Sequence, residues 1–412
     1  MEQMYPESAE VFRSEVIDFL ARALPDGWSG LGALTVEERG AFLPRWRTLL
    51  LENRLLAAAW PTEYGGRGVG VWEQSVLQEE FVRAGATLTP YLSDRIGISL
   101  LGPTLLACGS PEQKEYFLPR IISAEHRWAQ GYSEPEAGSD LFSLRTTAVL
   151  DEHGRWRVDG QKVWQTGGME ANWIFTLVRT EPGVRGAAGI SMLLIPLDQP
   201  GVTVRPIRTM TGTDELSEVF FSGAVAAPEH LVGGRGEGAT VALTLLGHER
   251  TGGGALHALY EQELGRVIQL IRDARLQHDP VVRQRIGEFT ATVAAMRHLA
   301  ARSLASAASG EPPSAASSVT KLYETEYHRD LTTFVMDVLG VAGAVGGVSE
   351  PIPELGPDPV GTPNSPDAWS TAYLMARGAT IYGGSSQIQR NTLAEQVLGL
   401  PREPRVQEAR AS

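Results

Sequence analysis

Trp128-Ala-Gln-Gly-Tyr-Ser-Glu-Pro-Glu-Ala-Gly-Ser-Asp140 is the stretch around which the rest of the chain is organised. Trp128 to Ser133 reads as a short strand. Proline cannot donate to a ladder and drives the residue before it out of the helical region, so the strand is expected to stop at Glu134-Pro135. Ala137-Gly138-Ser139-Asp140 then turns the chain with small residues whose N–H groups and hydroxyls are free to bind something. A strand ending in a polar, donor-rich loop suits an anion or a planar polar ring. An ordinary Gly-Ser-Asp turn has the same composition, and this stretch alone does not separate the two.

Two later stretches decide between them. One is Val158-Asp-Gly-Gln-Lys-Val-Trp-Gln-Thr166-Gly-Gly; the other, near the C-terminus, is Ile381-Tyr-Gly-Gly-Ser-Ser-Gln-Ile-Gln-Arg390-Asn. With the first they resemble the acyl-CoA dehydrogenase family of flavoproteins, whose patterns read Thr-Glu-Pro-x-Ala-Gly-Ser-Asp, Gly-x-Lys-x-Trp-Ile-Thr-Asn and Tyr-x-Gly-Thr-Ser-x-Ile-Gln-Arg. The resemblance runs from Trp60-Pro-x-Glu-Tyr-Gly-Gly66 to Ala394-Glu-x-Val-Leu-Gly-Leu-Pro-Arg402. Three long motifs in one order form a far more specific signal than any lone glycine pattern. The resemblance implies an α+β fold in three parts: an N-terminal helical domain (1–126), a central small β-barrel contacting flavin (127–236), and a C-terminal helical bundle (237–412) carrying the base and the oligomer interface.

Bulk properties agree with a soluble enzyme. A length of 412 residues suggests two or three folding units at about 150 residues each. With 42% hydrophobic residues and a mean hydropathy of -0.12, the chain can bury a full core. No apolar run reaches the roughly 18 residues that a membrane helix needs. The single cysteine, Cys108, excludes an internal disulfide and a cysteine-cluster metal site. Met1-Glu-Gln-Met-Tyr-Pro-Glu7 has neither an apolar signal core nor an arginine-rich transit pattern, so a cytoplasmic location is expected. A net charge of -13 argues against nucleic acid or an anionic membrane as partner.

Periodicity divides the chain in the same way. Val11-Phe12, Val16 and Phe19-Leu20 recur at three- and four-residue steps, Glu73 to Ala84 repeats the pattern, and Ser110-Pro111 has the form of a helix start. From about residue 127 the period changes to two. Arg155 to Asp159 alternates and is expected to end at Gly160; Asn172–Arg179, Ile190–Ile195, Val202–Pro206 and Glu218–Phe221 continue the set, as in a small barrel or sandwich. Helical spacing returns over Thr240–Leu264, Arg266–Leu276, Val281–Ser306, Ala315–Leu339, Ala368–Ala379 and Gln387–Leu398. Ser349 to Pro366, with six prolines, reads as a surface loop or partly disordered insert.

The resemblance assigns roles to matched positions. FAD would lie between barrel and C-terminal helices, with Gln130, Tyr132 and Ser133 along the pyrimidine side of its ring and Ser139 near the phosphates and the thioester. Trp164 would pack beside the ring, Thr166 would donate to N5, and Ser385 and Gln387 would complete the site. Fixed donors near N1 stabilise the negative charge of a reduced flavin without reorganisation. Alone, Trp164 reads as a plain core tryptophan; Thr166 and Gly167-Gly168 beside it favour the flavin role.

The base is the open question. Taking a proton α to a thioester carbonyl, while hydride leaves the β carbon for flavin N5, needs a carboxylate in a dry pocket. Many family members carry that glutamate directly after the tyrosine of the C-terminal motif. Here Tyr382 is followed by Gly383. A smaller set places it before an arginine near a C-domain helix, where this sequence has Gly247-His248-Glu249-Arg250. Glu249 is therefore the expected base, against the plainer reading of a solvated Glu-Arg pair. Arg250 would meet CoA phosphate, His248 would be supporting or exposed, and Tyr382 and Gly383 would touch the substrate. The usual Arg-x-x-Phe-Gly at the subunit contact with the FAD pyrophosphate becomes Asp273-Ala-Arg-Leu-Gln-His-Asp-Pro280, leaving Arg275 as a weak match. Gln-x-Leu-Gly-Gly becomes Asp337-Val-Leu-Gly340-Val.

The reading that follows is an FAD-dependent α,β-dehydrogenase of acyl-CoA or acyl-carrier-protein thioesters. It would work as a homodimer or homotetramer and pass electrons to an electron-transfer flavoprotein. A flavin oxygenase or oxidase on the same fold and a non-catalytic subunit of a mixed oligomer are the alternatives. Glu249 with Arg250 favours the first.

Overall fold

The structure is a computed structural model describing residues 5–251, 255–310, 317–345, 347 and 360–402. Its N-terminal layer is helical for the reason the periodicity gives. Helix α1 (Glu7–Ala23) buries Ala9, Phe12, Val16, Phe19 and Leu20. Helix α2 (Val36–Glu52) opens on a capping box between Thr35 and Glu38, and α3 (Val71–Arg83) follows. Helix α4 (Leu92–Asp94) passes through a π-helical stretch, Arg95–Leu101, into α5 (Gly102–Cys108). Buried Arg47 fixes this entry: its Nη2 lies 2.8 Å from Asp94 Oδ1 and also donates to the Ile122 carbonyl at 2.8 Å. Helix α6 (Pro111–Ile122) starts as expected, with Ser110 capping and Pro111 in the first turn.

The middle layer is one sheet of β1 (Trp128–Gly131), β2 (Thr147–Leu150), β3 (Trp156–Thr166), β4 (Trp173–Arg179), β5 (Ile190–Pro196), β6 (Val202–Ile207), β7 (Leu216–Ala226) and β8 (Leu231–Val232). Its order is β6-β7-β3-β2-β4-β5-β8, with β1 parallel to β4. Strands β4 and β5 are buried along nearly their whole length, which is why they read as continuous apolar runs.

The sheet corrects three expectations. Strand β3 does not stop at Gly160. That glycine, at φ 146, lies beside a register shift between Val158 and Asp159, and the strand runs on to Thr166. Strand β7 extends well beyond Glu218–Phe221 because it pairs with β3 from Trp156 to Thr166. Strand β1 ends at Gly131, before Ser133, where the chain leaves β4 rather than where proline interrupts it. The short β2 and β8 carry no strong pattern and were not expected.

The C-terminal layer contains α7 (Gly238–Thr251), α8 (Leu256–Asp273), α9 (Pro280–Ala308), α10 (Ser317–Leu339), α11 (Val341–Val345), α12 (Pro366–Ala379) and α13 (Ser386–Thr392), which continues as a π-helical Leu393–Val397. The expected helix Thr240–Leu264 is two helices, and Gly265 is no boundary. It sits on the exposed face of α8 while Tyr260, Leu264, Val267 and Ile271 bury the other. Packing thus overrides the roughly 1 kcal/mol that an interior glycine costs. These side chains join Phe289, Met296, Leu331, Val335 and Trp369 in a separate core. Of the proline-rich insert, 349–359 lies outside the described residues. Its end is anchored: Val360 accepts from Gly32 N at 2.9 Å, and Asn364 donates to the Arg266 carbonyl at 3.0 Å. Among the described residues no helix is long and apolar enough to cross a membrane.

Candidate active site

The stretch after β1 is held from below by a buried ion pair. Trp156, Val158 and Lys162 are all buried along β3, and the lysine is wholly enclosed. Its Nζ lies 2.8 Å from Glu134 Oε1 and donates to the Tyr132 carbonyl at 3.2 Å. The Glu134 carboxylate also accepts from the N–H groups of Arg145 at 2.6 Å and Thr146 at 2.9 Å. Burial pushes the Glu134 carboxyl up, but Lys162 and these donors outweigh it and hold it below the usual carboxylate range. Burial lowers the Lys162 ammonium to about 8 against the pull of Glu134. The Ser133 carbonyl accepts from Val163 N at 3.0 Å. Tyr132, Ser133, Trp164 and Thr166 are thereby fixed to one frame.

Trp164 stands on a bulge. The ladder with β7 slips between Val163 and Gln165, so Val163 and Gln165 are both buried while the indole is 57% exposed. Its φ of 71 lies in the left-handed region, which costs a non-glycine residue roughly 1–2 kcal/mol. Such positions persist where the surroundings over-determine them, and they cluster at ligand sites. Tyr132 is buried edge-on to Phe175, Gln130 and Thr166 are half-buried, and Ser139 is exposed.

The C-terminal motif is held through its backbone. After α12 the chain turns at Ile381 and Tyr382, whose N–H groups return to the Gly378 carbonyl. Gly383 and Gly384 follow at φ 63 and 91. Lys321 of α10 donates to the carbonyls of Ala379 at 3.0 Å and Gly384 at 2.7 Å. Gln389 reaches back to Gly383 and Gly384 at 3.2 and 3.3 Å. Ser385 caps α13 through Ile388 N, Gln387 points outward, and Ile381 and Tyr382 are 69% and 64% exposed. A glutamate at 383 would have to adopt a left-handed backbone. Glycine there is at ease.

Helix α7 packs against α5, the π-helical stretch and β5, and its last turn carries His248, Glu249 and Arg250. The backbone of Glu249 and Arg250 is helical; their side chains lie outside the described residues. Burial lowers the His248 imidazole below its ordinary value. Arg275 is not brought to this group within one chain. It sits beyond the far end of the 18-residue α8, about 27 Å of helix away, exposed and at φ 58.

The residues present offer the kind of apolar surface that a flat flavin ring covers. Trp164, Met169, Ile381 and Tyr382 are large apolar side chains left uncovered, and the backbone at Trp164 is strained to keep the indole outward. Sequence reasoning missed Lys162, Lys321 and Gln389. For Lys162 a signal existed, since it shares the parity of Trp156 and Val158 and a strand-interior lysine must be paired. For Lys321, whose carbonyl partners lie 58 and 63 positions away, no local signal exists.

Comparison with known proteins adds to this geometry. Models of the N-terminal, middle and C-terminal domains of acyl-CoA dehydrogenase match residues 6–125, 129–224 and 236–398. The chain is 40% identical over 403 residues to "Acyl-CoA dehydrogenase IpdE1" of Mycobacterium tuberculosis, covering 96% of this chain and 99% of that one. Its fold superposes on a "Tcur3481-Tcur3483 steroid ACAD" with TM-score 0.78 and 30% identity over 97% of this chain and 99% of that one. It also superposes on the "ChsE4-ChsE5 complex from Mycobacterium tuberculosis" with TM-score 0.73 and 27% identity over 98% and 100%.

Proposed function

The chain belongs to the acyl-CoA dehydrogenase family, and on that premise we propose that it oxidises the α,β bond of an acyl-CoA thioester whose acyl group is bulky or ring-bearing. The observation that carries this reading is the left-handed Gly383-Gly384 turn, pinned by Lys321 and Gln389. Such a turn would offer its backbone to a thioester without the side chain that would crowd it.

Glu249, at the end of α7, takes the proton from the α carbon. The N–H of Gly383 donates to the thioester carbonyl, where charge develops as the proton leaves. Arg250 and Ser139 meet the CoA phosphates. Bound FAD supplies the acceptor for the β-carbon hydride. Gln130, Tyr132, Ser133, Trp164, Thr166, Ser385 and Gln387 would hold its ring and ribityl side, with Arg275 of a second subunit toward the pyrophosphate. The bulky acyl group is supported by the missing side chain at Gly383 and by a neighbour described as a steroid enzyme. Electrons pass on to an electron-transfer flavoprotein in the cytoplasm. Because both solved neighbours pair two differently named chains, assembly with a second, related subunit is a variant of the homo-oligomer reading.

Anaerobic titration of the flavin-loaded protein with acyl-CoAs tests this. Ring-bearing thioesters should bleach the flavin and yield the enoyl product, faster than straight chains of equal carbon number. Failure of every thioester to bleach it, alone or with a partner subunit, would overturn the proposal.

A further inference from the structure

Helices α8 and α10 pack through leucine and valine over most of their contact, with Leu264, Val267, Leu331 and Val335 in the shared core. Near the N-terminal end of α8 and the middle of α10 the seam becomes polar. Tyr260 and Glu263 enter from α8, and Glu324, Tyr327 and His328 from α10; all are buried. The Tyr260 ring lies 5.2 Å from that of Tyr327 and 5.6 Å from that of His328. Glu263 Oε1 meets His328 Nε2 at 2.8 Å.

The polar groups do not satisfy one another. The Tyr327 hydroxyl and Glu263 Oε2 are enclosed and have no hydrogen-bond partner among the described residues. Glu324 faces Lys321 one turn back, but that ammonium is already committed to the carbonyls of Ala379 and Gly384. Each buried group left unmade costs roughly 1–3 kcal/mol, and native interiors leave few of them. The seam lies directly behind the Tyr382–Gly384 turn: Lys321 ties α10 to that turn, and Tyr260 feels the charge of Tyr382.

We propose that this seam is a subsite for a hydroxyl group carried by the acyl group away from its thioester, donating to Glu263 Oε2 and accepting from the Tyr327 hydroxyl, with Glu324 beside it. The chemistry selects that class. Two phenols can donate, and burial keeps them protonated by raising both Tyr260 and Tyr327. Burial also lifts the Glu324 carboxyl to about 8, so at neutral pH it donates as well. The inference rests on the acyl-thioester reading above and deepens it.

The test uses the flavin-loaded enzyme and a series of ring-bearing acyl-CoAs with a hydroxyl at successive ring positions, against the parent hydrocarbon ring. At least one hydroxylated member should exceed the parent in kcat/KM by about 10–100-fold, because a site built to hydrogen-bond a hydroxyl rejects the analogue lacking it. Tyr327→Phe and Glu324→Gln should each bring that ratio toward one, and calorimetric titration with the matching enoyl-CoA products should show the same loss in affinity. Bleaching by the parent with no hydroxylated member preferred, or a preference kept in both variants, would overturn the subsite and leave ordered water as its occupant. Bleaching by no member would instead refute the dehydrogenase reading, and this inference with it.

Discussion

The two halves of the candidate site are built on opposite plans. On the sheet side, side chain holds side chain: Lys162 and Glu134 form a buried pair, and Glu134 gathers two further N–H groups. On the C-terminal side, side chains hold backbone: Lys321 and Gln389 grip the carbonyls of Ala379, Gly383 and Gly384. The first arrangement fixes residue identity, since replacing either partner strands a charge. The second fixes only the path of the chain. Position 383 is therefore free to lose a carboxylate while the turn keeps its shape, provided that a base arrives from elsewhere.

The largest effect expected concerns that base. Glu249→Gln should lower kcat by at least about 10²–10⁴-fold, the usual loss on removing a positioned general base, while the flavin spectrum stays unchanged. Turnover near the wild-type rate would mean that the turn at 383 has a different carboxylate opposite it, and the contrast drawn above would lose its functional half.

Next come the two lysines, whose removal compares the two plans directly. Lys162→Met leaves Glu134 buried without its cation and should cost about 3–5 kcal/mol, read as a large fall in Tm. The double variant Lys162→Met/Glu134→Gln should recover part of it. Lys321→Met removes two part-buried bonds from a charged donor to backbone carbonyls and should cost about 2 kcal/mol. Its main readout should be a rise in KM for the acyl-CoA, because the turn then no longer presents Gly383. A Lys321→Met variant that loses as much stability as Lys162→Met, with KM unchanged, would erase the distinction.

That distinction also marks what could be read from the sequence. The three-part order was legible because helical and strand periods alternate in long blocks, and the Ser110-Pro111 helix start was legible because capping is local. The positions of Tyr132, Ser133, Trp164 and Thr166 were legible through their motifs. The outward turn of Trp164 was not, because it depends on a one-residue slip against β7. The division of α7 from α8 was missed although the sequence signals it: no large apolar residue falls between Leu246 and Leu256, and Gly252-Gly253-Gly254 stands between them. The α8–α10 polar seam was invisible for a different reason: each of its members has ordinary helical spacing, and only the packing of two distant segments puts them together.

The smallest effect separates the two halves by pH. Near the start of β1, His126 stacks on Trp173 at 4.7 Å among Phe117 and Trp128, with His230 across the same cluster. Burial drives the His126 imidazole from 6.5 down to about 4 and lowers His230 as well. The folded protein then binds fewer protons than the unfolded chain below 6.5, so stability falls as pH drops from 6.5 toward 4. On the C-terminal side Glu324 behaves oppositely. Burial raises it from 4.5 to about 8, the folded state holds a proton that the unfolded chain has released, and this contribution is lost as pH climbs through that window. Tm should therefore pass through a maximum, with an acid limb belonging in part to the sheet side and an alkaline limb to the helical side. His126→Phe should flatten the acid limb and leave the slope above about 6.5 unchanged, whereas Glu324→Gln should remove the fall above 6.5 and, because its window opens at 4.5, also steepen the acid limb, each by a few °C. If His126→Phe altered the slope above about 6.5, or Glu324→Gln left that slope unchanged, the assignment of the two limbs to the two halves would fail.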